Sequence, residues 1–217
     1  MATDDSASDR ARALSLMPVS RETAERLDRF VALLLTWQKT TQLIATSTVT
    51  HLWTRHIADS LQLVDLAPDA RSWVDMGTGG GFPGLVIACA LAETAGVRVD
   101  LVEGNAKKAA FLRAAAAATE SPAVVHGVRM ENFVESFAGV PDIVTARAVS
   151  PLSSLLGRCL PLLQRGAIGI FPKGQDVGAE LTEASRYWRM TADLVLSRTD
   201  PKARIVCVRA VERRAAP

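Results

Sequence analysis

"SWVDMGTGGGFPGLVIACAL", residues 72–91, sets five glycines within the eight positions from Gly77 to Gly84, between two apolar runs. Glycine at that density marks a backbone that turns tightly or admits a ligand very close. The run "WVDM" (73–76) reads as a buried strand, and the run after Pro83 reads as a helix whose first turn tolerates proline. Strand, glycine loop and helix in that order form the frame in which α/β proteins bind nucleotides at the carboxyl ends of their strands. Gly79-x-Gly81-x-x-Gly84 fits the dinucleotide-binding pattern, which does not by itself choose a ligand. No Gly-Lys-Ser/Thr follows the glycines, so the loop is not a P-loop.

Two acids narrow the choice. Asp75 stands two residues before Gly77, where a dinucleotide site would hold its pyrophosphate. A carboxylate beside two phosphate charges is unfavourable in a partly dry cleft. S-adenosylmethionine presents an ammonium and a sulfonium there instead, and Asp75 suits that ligand either directly or by anchoring loop amides. Glu103 ends the next apolar run, 19 residues after Gly84 (103 − 84), where an acid accepts both hydroxyls of a ribose. The expected cofactor is S-adenosylmethionine, contacted by Asp75, Gly79 and Glu103; a nicotinamide cofactor is the alternative.

Outward from the loop, short apolar runs alternate with helical stretches. Strands are expected at 73–76, 97–102, 123–127, 142–147, 167–171, 193–198 and 204–211, and helices at 83–95, 105–119, 150–163 and 177–189. Strands that are apolar throughout belong to a parallel sheet covered on both faces. "TDPKA" leaves no room for a helix between the last two, which form an antiparallel hairpin. The expected fold is therefore α/β, a doubly wound Rossmann-like sheet spanning 71–217 and closed by that hairpin. Ahead of it, Leu27, Phe30, Val31, Leu34 and Leu35 recur at helical spacing after a capping Ser20, and a second apolar stripe runs through 49–65. Residues 18–70 thus form an N-terminal helical extension packed on the core, and residues 1–17 read as a loose polar tail.

The chain has 217 residues, is 48% hydrophobic and carries a net charge of +2, enough for one well-cored unit with no overall commitment to a polyanion. Cys89, Cys159 and Cys207 are far apart and without His partners, so they read as buried thiols and not as a metal site or disulfides. The sequence shows no signal-like amino terminus and no membrane-length apolar run, and a cytoplasmic monomer is expected.

Six segments in order carry a family resemblance: "RHIADSL" (55–61), "VDMGTGGGFPGLVIA" (74–88), "LVEGNAKKAAFLR" (101–113), "RMENF" (129–133), "TARAVSPL" (145–152) and "PKGQ" (172–175). Together they resemble the bacterial small-subunit ribosomal RNA guanine-N7 methyltransferases, over about residues 27 to 210. The resemblance implies a class I S-adenosylmethionine-dependent enzyme that methylates N7 of one guanine in 16S rRNA, free or within a small subunit or its assembly intermediate. Carried over by motif, Gly77, Phe82, Met130, Glu131 and Arg147 would line the cofactor pocket. Two departures stand out. "TQLIA" (41–45) lies where relatives carry Asn-Leu-Thr, with Gln42 as a substitute, and Gly80 and Phe82 lie where many carry Pro and Leu.

Chemistry agrees with an N7 acceptor. That ring nitrogen has a free lone pair, so in-line transfer needs positioning and no general base. "TARAVSP" is not the Asn/Asp-Pro-Pro-aromatic turn of amine methylation, and no cysteine sits where a nucleophile would. Arg147 ends the fourth strand and could hold the cofactor carboxylate or an RNA phosphate. Lys173 ends the fifth strand, and a contact to guanine O6 or a phosphate is expected; Arg129 is a second RNA candidate. Arg147 and Lys173 are the expected catalytic pair. Arg55, His56 and Asp59 fall at i, i+1 and i+4, and are expected to pair as Arg55–Asp59 and His56–Asp59 in a network docking their helix near the glycine loop. A small-molecule methyltransferase and a non-catalytic RNA-binding assembly factor are the competing functions.

Overall fold

The computed structural model describes residues 2–214; Met1 and residues 215–217, the ends of the expected tail and sheet domain, lie outside the described residues. Helix α1 (Ala2–Leu16) and α2 (Arg21–Gln38) open the chain. A 3₁₀ segment (Thr46–His51), a π-helical turn (Trp53–Ala58), the short α3 (Asp59–Leu61) and a second 3₁₀ turn (Val64–Leu66) follow. The sheet unit then runs β1 (Ser72–Met76), α4 (Gly84–Ala90), β2 (Arg98–Val102), α5 (Ala106–Thr119), β3 (Ala123–His126), α6 (Met130–Ser136) and β4 (Ile143–Thr145). It ends with α7 (Leu152–Gln164), β5 (Ile168–Lys173), α8 (Val177–Tyr187), β6 (Trp188–Leu196) and β7 (Arg204–Arg213).

The seven strands lie in the order β3-β2-β1-β4-β5-β7-β6. β1 to β5 are parallel, and β7 pairs antiparallel with both β5 and β6. The doubly wound sheet and its terminal antiparallel pair stand as expected. Strand order reverses between β2-β1 and β1-β4, and that switch point is where open α/β sheets bind ligands.

Alternation along each strand divides the core in two. Trp73, Val99, Leu101, Ile143 and Ile170 face α2, α4 and α5, whereas Val74, Met76, Val102, Val144 and Phe171 face α6, α7 and α8. Trp73, Phe30, Phe111 and Phe171 are the largest fully buried side chains, each worth about 2–3 kcal/mol in removed apolar surface.

The amino-terminal reading needs correction. Residues 2–16 are helical, not a loose tail, and the helix is anchored. Ala13 and Met17 are buried in the core, and Asp9, 8% exposed, accepts hydrogen bonds from Trp53 N at 2.8 Å and Thr54 Oγ1 at 2.6 Å. Polar composition hid the helix because its stabilisation comes from a few long-range anchors and not from an apolar stripe. The stretch 49–65 is likewise not one regular helix. α6 was not expected, since its seven residues are too few to show periodicity. α8 stops at Tyr187, and its expected last turn is already β6.

Candidate active site

One cavity of about 1500 Å³ opens across the carboxyl ends of β1, β2, β4 and β5 and is walled on one side by the amino-terminal helices. It is larger than a pocket for one small molecule needs. Gly77, Gly79, Phe82, Glu103, Arg129, Met130, Glu131, Arg147 and Lys173 all line it. Asp75 does not.

The reason lies in strand alternation. Asp75 shares the Trp73 face of β1, so its side chain points beneath the loop toward α4. There Oδ2 accepts from Gly84 N at 2.8 Å and Oδ1 from the Thr145 hydroxyl at 3.0 Å. Burial pushes its carboxyl up to about 6, against the pull of those donors. A methyl group on Gly84 would lie 2.6 Å from Asp75 Cβ and would also strike Leu101, so only glycine lets the helix start this close. Of the two routes open to Asp75, the structure builds the indirect one: it anchors the loop and is not a cofactor ligand.

The loop itself is made of backbone. Gly77, Gly79 and Gly81 have φ of 72°, 57° and 95°, the left-handed region that glycine enters without strain. The amides of Gly77 and Thr78 donate to Val102 O at 2.9 and 3.1 Å, tying the loop to β2. A Cβ on Gly77 would collide with Met130 and lie 3.0 Å from Val149, so the cradle over Gly77 is already shaped by those two side chains. At Gly80 a Cβ would lie 2.9 Å from Leu43 O, the point where the amino-terminal segment crosses the loop. Glu103 accepts from Gly79 N at 3.0 Å and Asn105 N at 2.7 Å, and each of its oxygens keeps a lone pair for a ribose hydroxyl. This glycine cradle, the acid at the end of β2 and the Met130 wall fit the methionine, ribose and adenine parts of S-adenosylmethionine. Glu131 stands at the mouth, 3.7 Å from Arg158 Nε.

Phe82 is mostly a packing residue. It is 4% exposed, with Phe30 and His56 ring centroids at 5.3 and 4.9 Å and the Arg147 guanidinium 5.1 Å above its own ring. Arg147 also donates to Arg55 O at 3.1 Å and to His56 Nδ1 at 2.6 Å, and lies 3.5 Å from Asp59 Oδ2. Because His56 Nδ1 accepts, the ring proton sits on Nε2, which donates to Thr48 Oγ1 at 2.9 Å. Burial, with Arg147 and Arg55 adding repulsion, pulls the His56 pKa down to about 3, so the imidazole is neutral. The expected docking network exists, but neither expected pair forms. The π-helical turn over Trp53–Ala58 breaks the α-helical spacing on which both pairs depend. Asp59 accepts instead from Thr199 Oγ1 and Gln62 Nε2, each at 2.9 Å.

Lys173 is held, not free. Its ammonium donates to Ser150 O at 2.9 Å and lies 2.8 Å from Glu180 Oε2, which also accepts from Leu152 N at 2.7 Å. The Lys173 side chain is 9% exposed, and the pair fastens the β4–α7 loop to β5 and α8. A direct contact to guanine O6 is not what this geometry builds. Arg129 is exposed beside Gly104. Gln42 is exposed and outside the cavity; Gln38 fastens the 41–45 segment, accepting from Leu43 N at 2.9 Å and donating to Ile44 O at 2.8 Å. Glu180, Gln38 and Asp9 were not singled out in the sequence, because a polar residue on a helix carries no signal for the partner it takes outside that helix. Among the described residues no cluster of His, Cys, Asp or Glu is arranged to hold a metal, and no helix is long and apolar enough to cross a membrane.

The sheet order and the glycine cradle define an S-adenosylmethionine-dependent methyltransferase of the class I type. Solved structures agree on the fold. The O-methyltransferase from Bacillus cereus in complex with SAH superposes with a TM-score of 0.60 at 16% identity, over 97% of this chain and 100% of that one. TomG, the O-methyltransferase from Streptomyces achromogenes, gives a TM-score of 0.59 at 13% identity, over 93% and 95%. Sequence relatives decide the family. A family model described as rRNA small subunit methyltransferase G matches residues 23–211. The ribosomal RNA small subunit methyltransferase G of Bradyrhizobium sp. (strain BTAi1) is 58% identical over 207 residues, 95% of this chain and 93% of the relative. That of Methylobacterium radiotolerans is 54% identical over 203 residues, 94% and 95%. The chain belongs to the rRNA small subunit methyltransferase G family, which is S-adenosylmethionine-dependent.

Proposed function

We propose that the protein transfers a methyl group to N7 of one guanine in small-subunit rRNA. The observation that carries this reading is the chemistry of the acceptor side of the cavity. It offers oriented cations, and His56, Asp59 and Glu180, the bases packed against them, are already engaged. His56 is neutral with both ring nitrogens bonded, and Asp59 and Glu180 are held by donors. The Cys89 and Cys159 thiols are buried, which pushes both up to about 12, far from a thiolate nucleophile. An acceptor attacked through a covalent partner would find no thiolate here, and none of His56, Asp59 and Glu180 is free to take a proton. Guanine N7 needs neither.

S-adenosylmethionine, when bound, supplies an electrophilic methyl group: its S–CH₃ bond breaks as the N7–CH₃ bond forms, and the sulfur leaves as a neutral thioether. The chain's own residues position. Gly77 and Gly79 let the backbone approach the methionine part, Glu103 takes the ribose hydroxyls, and Met130 with Glu131 flanks adenine. Arg147, fixed by His56, Asp59 and the Phe82 ring, keeps its Nε–H without an acceptor among the described residues. That donor serves the cofactor carboxylate or the RNA. Lys173 acts through the β4–α7 loop. Arg129 stands at the rim on the RNA side.

The reading includes a cytoplasmic enzyme acting as a monomer, which light scattering of the purified chain checks. Its direct test uses tritiated S-adenosylmethionine and small ribosomal subunits, or naked rRNA, from cells lacking the gene. Nucleoside analysis should recover the label as N7-methylguanosine. Label on another atom would sink the N7 assignment.

A further inference from the structure

The rRNA reading leaves open what holds the strand, and the amino-terminal helix offers an answer. Asp9 ties α1 to the π-helical turn at Trp53 and Thr54. Arg10 reinforces this with two bonds to Asp28, both 2.7 Å, while its guanidinium lies 5.1 Å from the Trp53 ring centroid. Arg12 follows Asp9 by three residues and so shares its helix face. It is exposed and lines the cavity. Arg55 stands between Thr54, bonded to Asp9, and His56, bonded to Arg147. Its carbonyl accepts from Arg147, and its side chain is exposed to the same cavity.

Neither Arg12 nor Arg55 has a side-chain hydrogen bond or carboxylate partner among the described residues. Arg29, Arg113 and Arg209 are exposed and equally unpaired but lie outside the cavity, whereas Arg12, Arg55 and Arg129 line it. Arg98 pairs with Asp100, Arg186 with Glu183 and Arg198 with Asp65. Nearby acids are already engaged: Asp59 by Thr199, Gln62 and Arg147, and Asp200 by Lys202 N. Two uncompensated cations, one on each of two elements fastened together, face the acceptor side of the cavity in a chain whose net charge is only +2. Cations left unpaired on a cleft wall draw a polyanion to that wall.

We propose that α1 and the π-helical turn form a phosphate clamp, in which Arg12 and Arg55 each take a phosphate of the rRNA strand that carries the target guanine. The clamp rests on the rRNA reading above and deepens it by naming where the backbone runs. It also gives the π-helical turn a second duty. The same six residues orient Arg147 inward and carry Arg55 outward.

The test is steady-state methyl transfer to small ribosomal subunits from cells lacking the gene, across a salt series, with S-adenosylmethionine affinity measured by calorimetry. Arg12→Ala and Arg55→Ala should each raise KM about three- to tenfold, with kcat and cofactor affinity kept within about twofold. The slope of log KM against log salt should fall by about 1 for each arginine removed. Arg12→Lys should keep most of the wild-type KM, since a phosphate accepts either cation. Arg189→Ala, whose side chain pairs loosely with Glu212 at 4.0 Å outside this cavity, is the control and should leave KM unchanged. A double Arg12→Ala, Arg55→Ala variant with wild-type KM and salt slope overturns the clamp while leaving the methyltransferase reading intact. If the wild-type chain and the Arg189→Ala control transfer no methyl group, the rRNA reading falls and takes the clamp with it.

Discussion

The two halves of the cavity are built from different material. Around β1, β2 and β3 the site is backbone: left-handed glycines, loop amides on Val102 O, and one buried acid under the turn. Around β4, β5 and the amino-terminal helices it is side chains bonded from one element to another, such as Arg147 on His56, Lys173 on Glu180 and Asp9 on Thr54. A cofactor of fixed shape suits a fixed backbone cradle. A nucleotide strand suits a wall that can be tuned residue by residue.

The comparison breaks most easily at Gly77. Valine there would be strained at a φ of 72° and would drive into Met130 and Val149. Gly77→Val should weaken S-adenosylmethionine binding by more than about tenfold, at least ~1.4 kcal/mol, in calorimetry on a folded protein. Next comes Gly84→Ala, which forces a methyl group onto Asp75 and Leu101. Loss of about 2 kcal/mol in denaturant unfolding is expected, with weaker cofactor binding because the loop moves with α4.

The acceptor half answers to pH instead. His56 has a folded pKa of about 3, below its ordinary 6.5, so the unfolded chain binds the extra proton. Its contribution to stability is full above about pH 6.5 and is lost as pH falls toward 3. By pH 5 the loss is about 2 kcal/mol, and His56→Gln should flatten that limb of the stability profile. Asp75 runs the other way. Its pKa is raised to about 6, so its contribution is present near pH 4 and lost as pH rises through 6. Comparing wild type with His56→Gln at each pH cancels it. The smallest effect expected is at Lys173. Lys173→Met should keep cofactor affinity and lower kcat about tenfold as the β4–α7 loop loosens, with Lys173→Arg recovering part of the rate.

The same division explains what could be read from sequence. Strand alternation, the glycine loop and Glu103 at the end of β2 are local features; the sheet stands where they put it, and the loop and Glu103 line the cavity. Asp75 was legible as important but not in its direction, which depends on which face of β1 meets α4. Lys173 and the Arg55–His56–Asp59 set were legible as residues and not as partners. Glu180 lies on the next element, α8, across a turn whose direction the sequence does not show, and a π-helical turn cannot be told from an α-helix by apolar spacing. α1 was missed because its anchors, Asp9 and Arg10, are polar residues whose partners are distant in sequence.

The most direct test is chemical-cleavage mapping of N7-methylguanine along small-subunit rRNA, in cells lacking the gene and in the same cells carrying the wild-type chain or Gly77→Val. One cleavage should be absent from the deletion strain, restored by the wild-type chain and weak or missing with the variant. An identical cleavage pattern in all three strains would contradict the assignment of this cavity to guanine-N7 methylation.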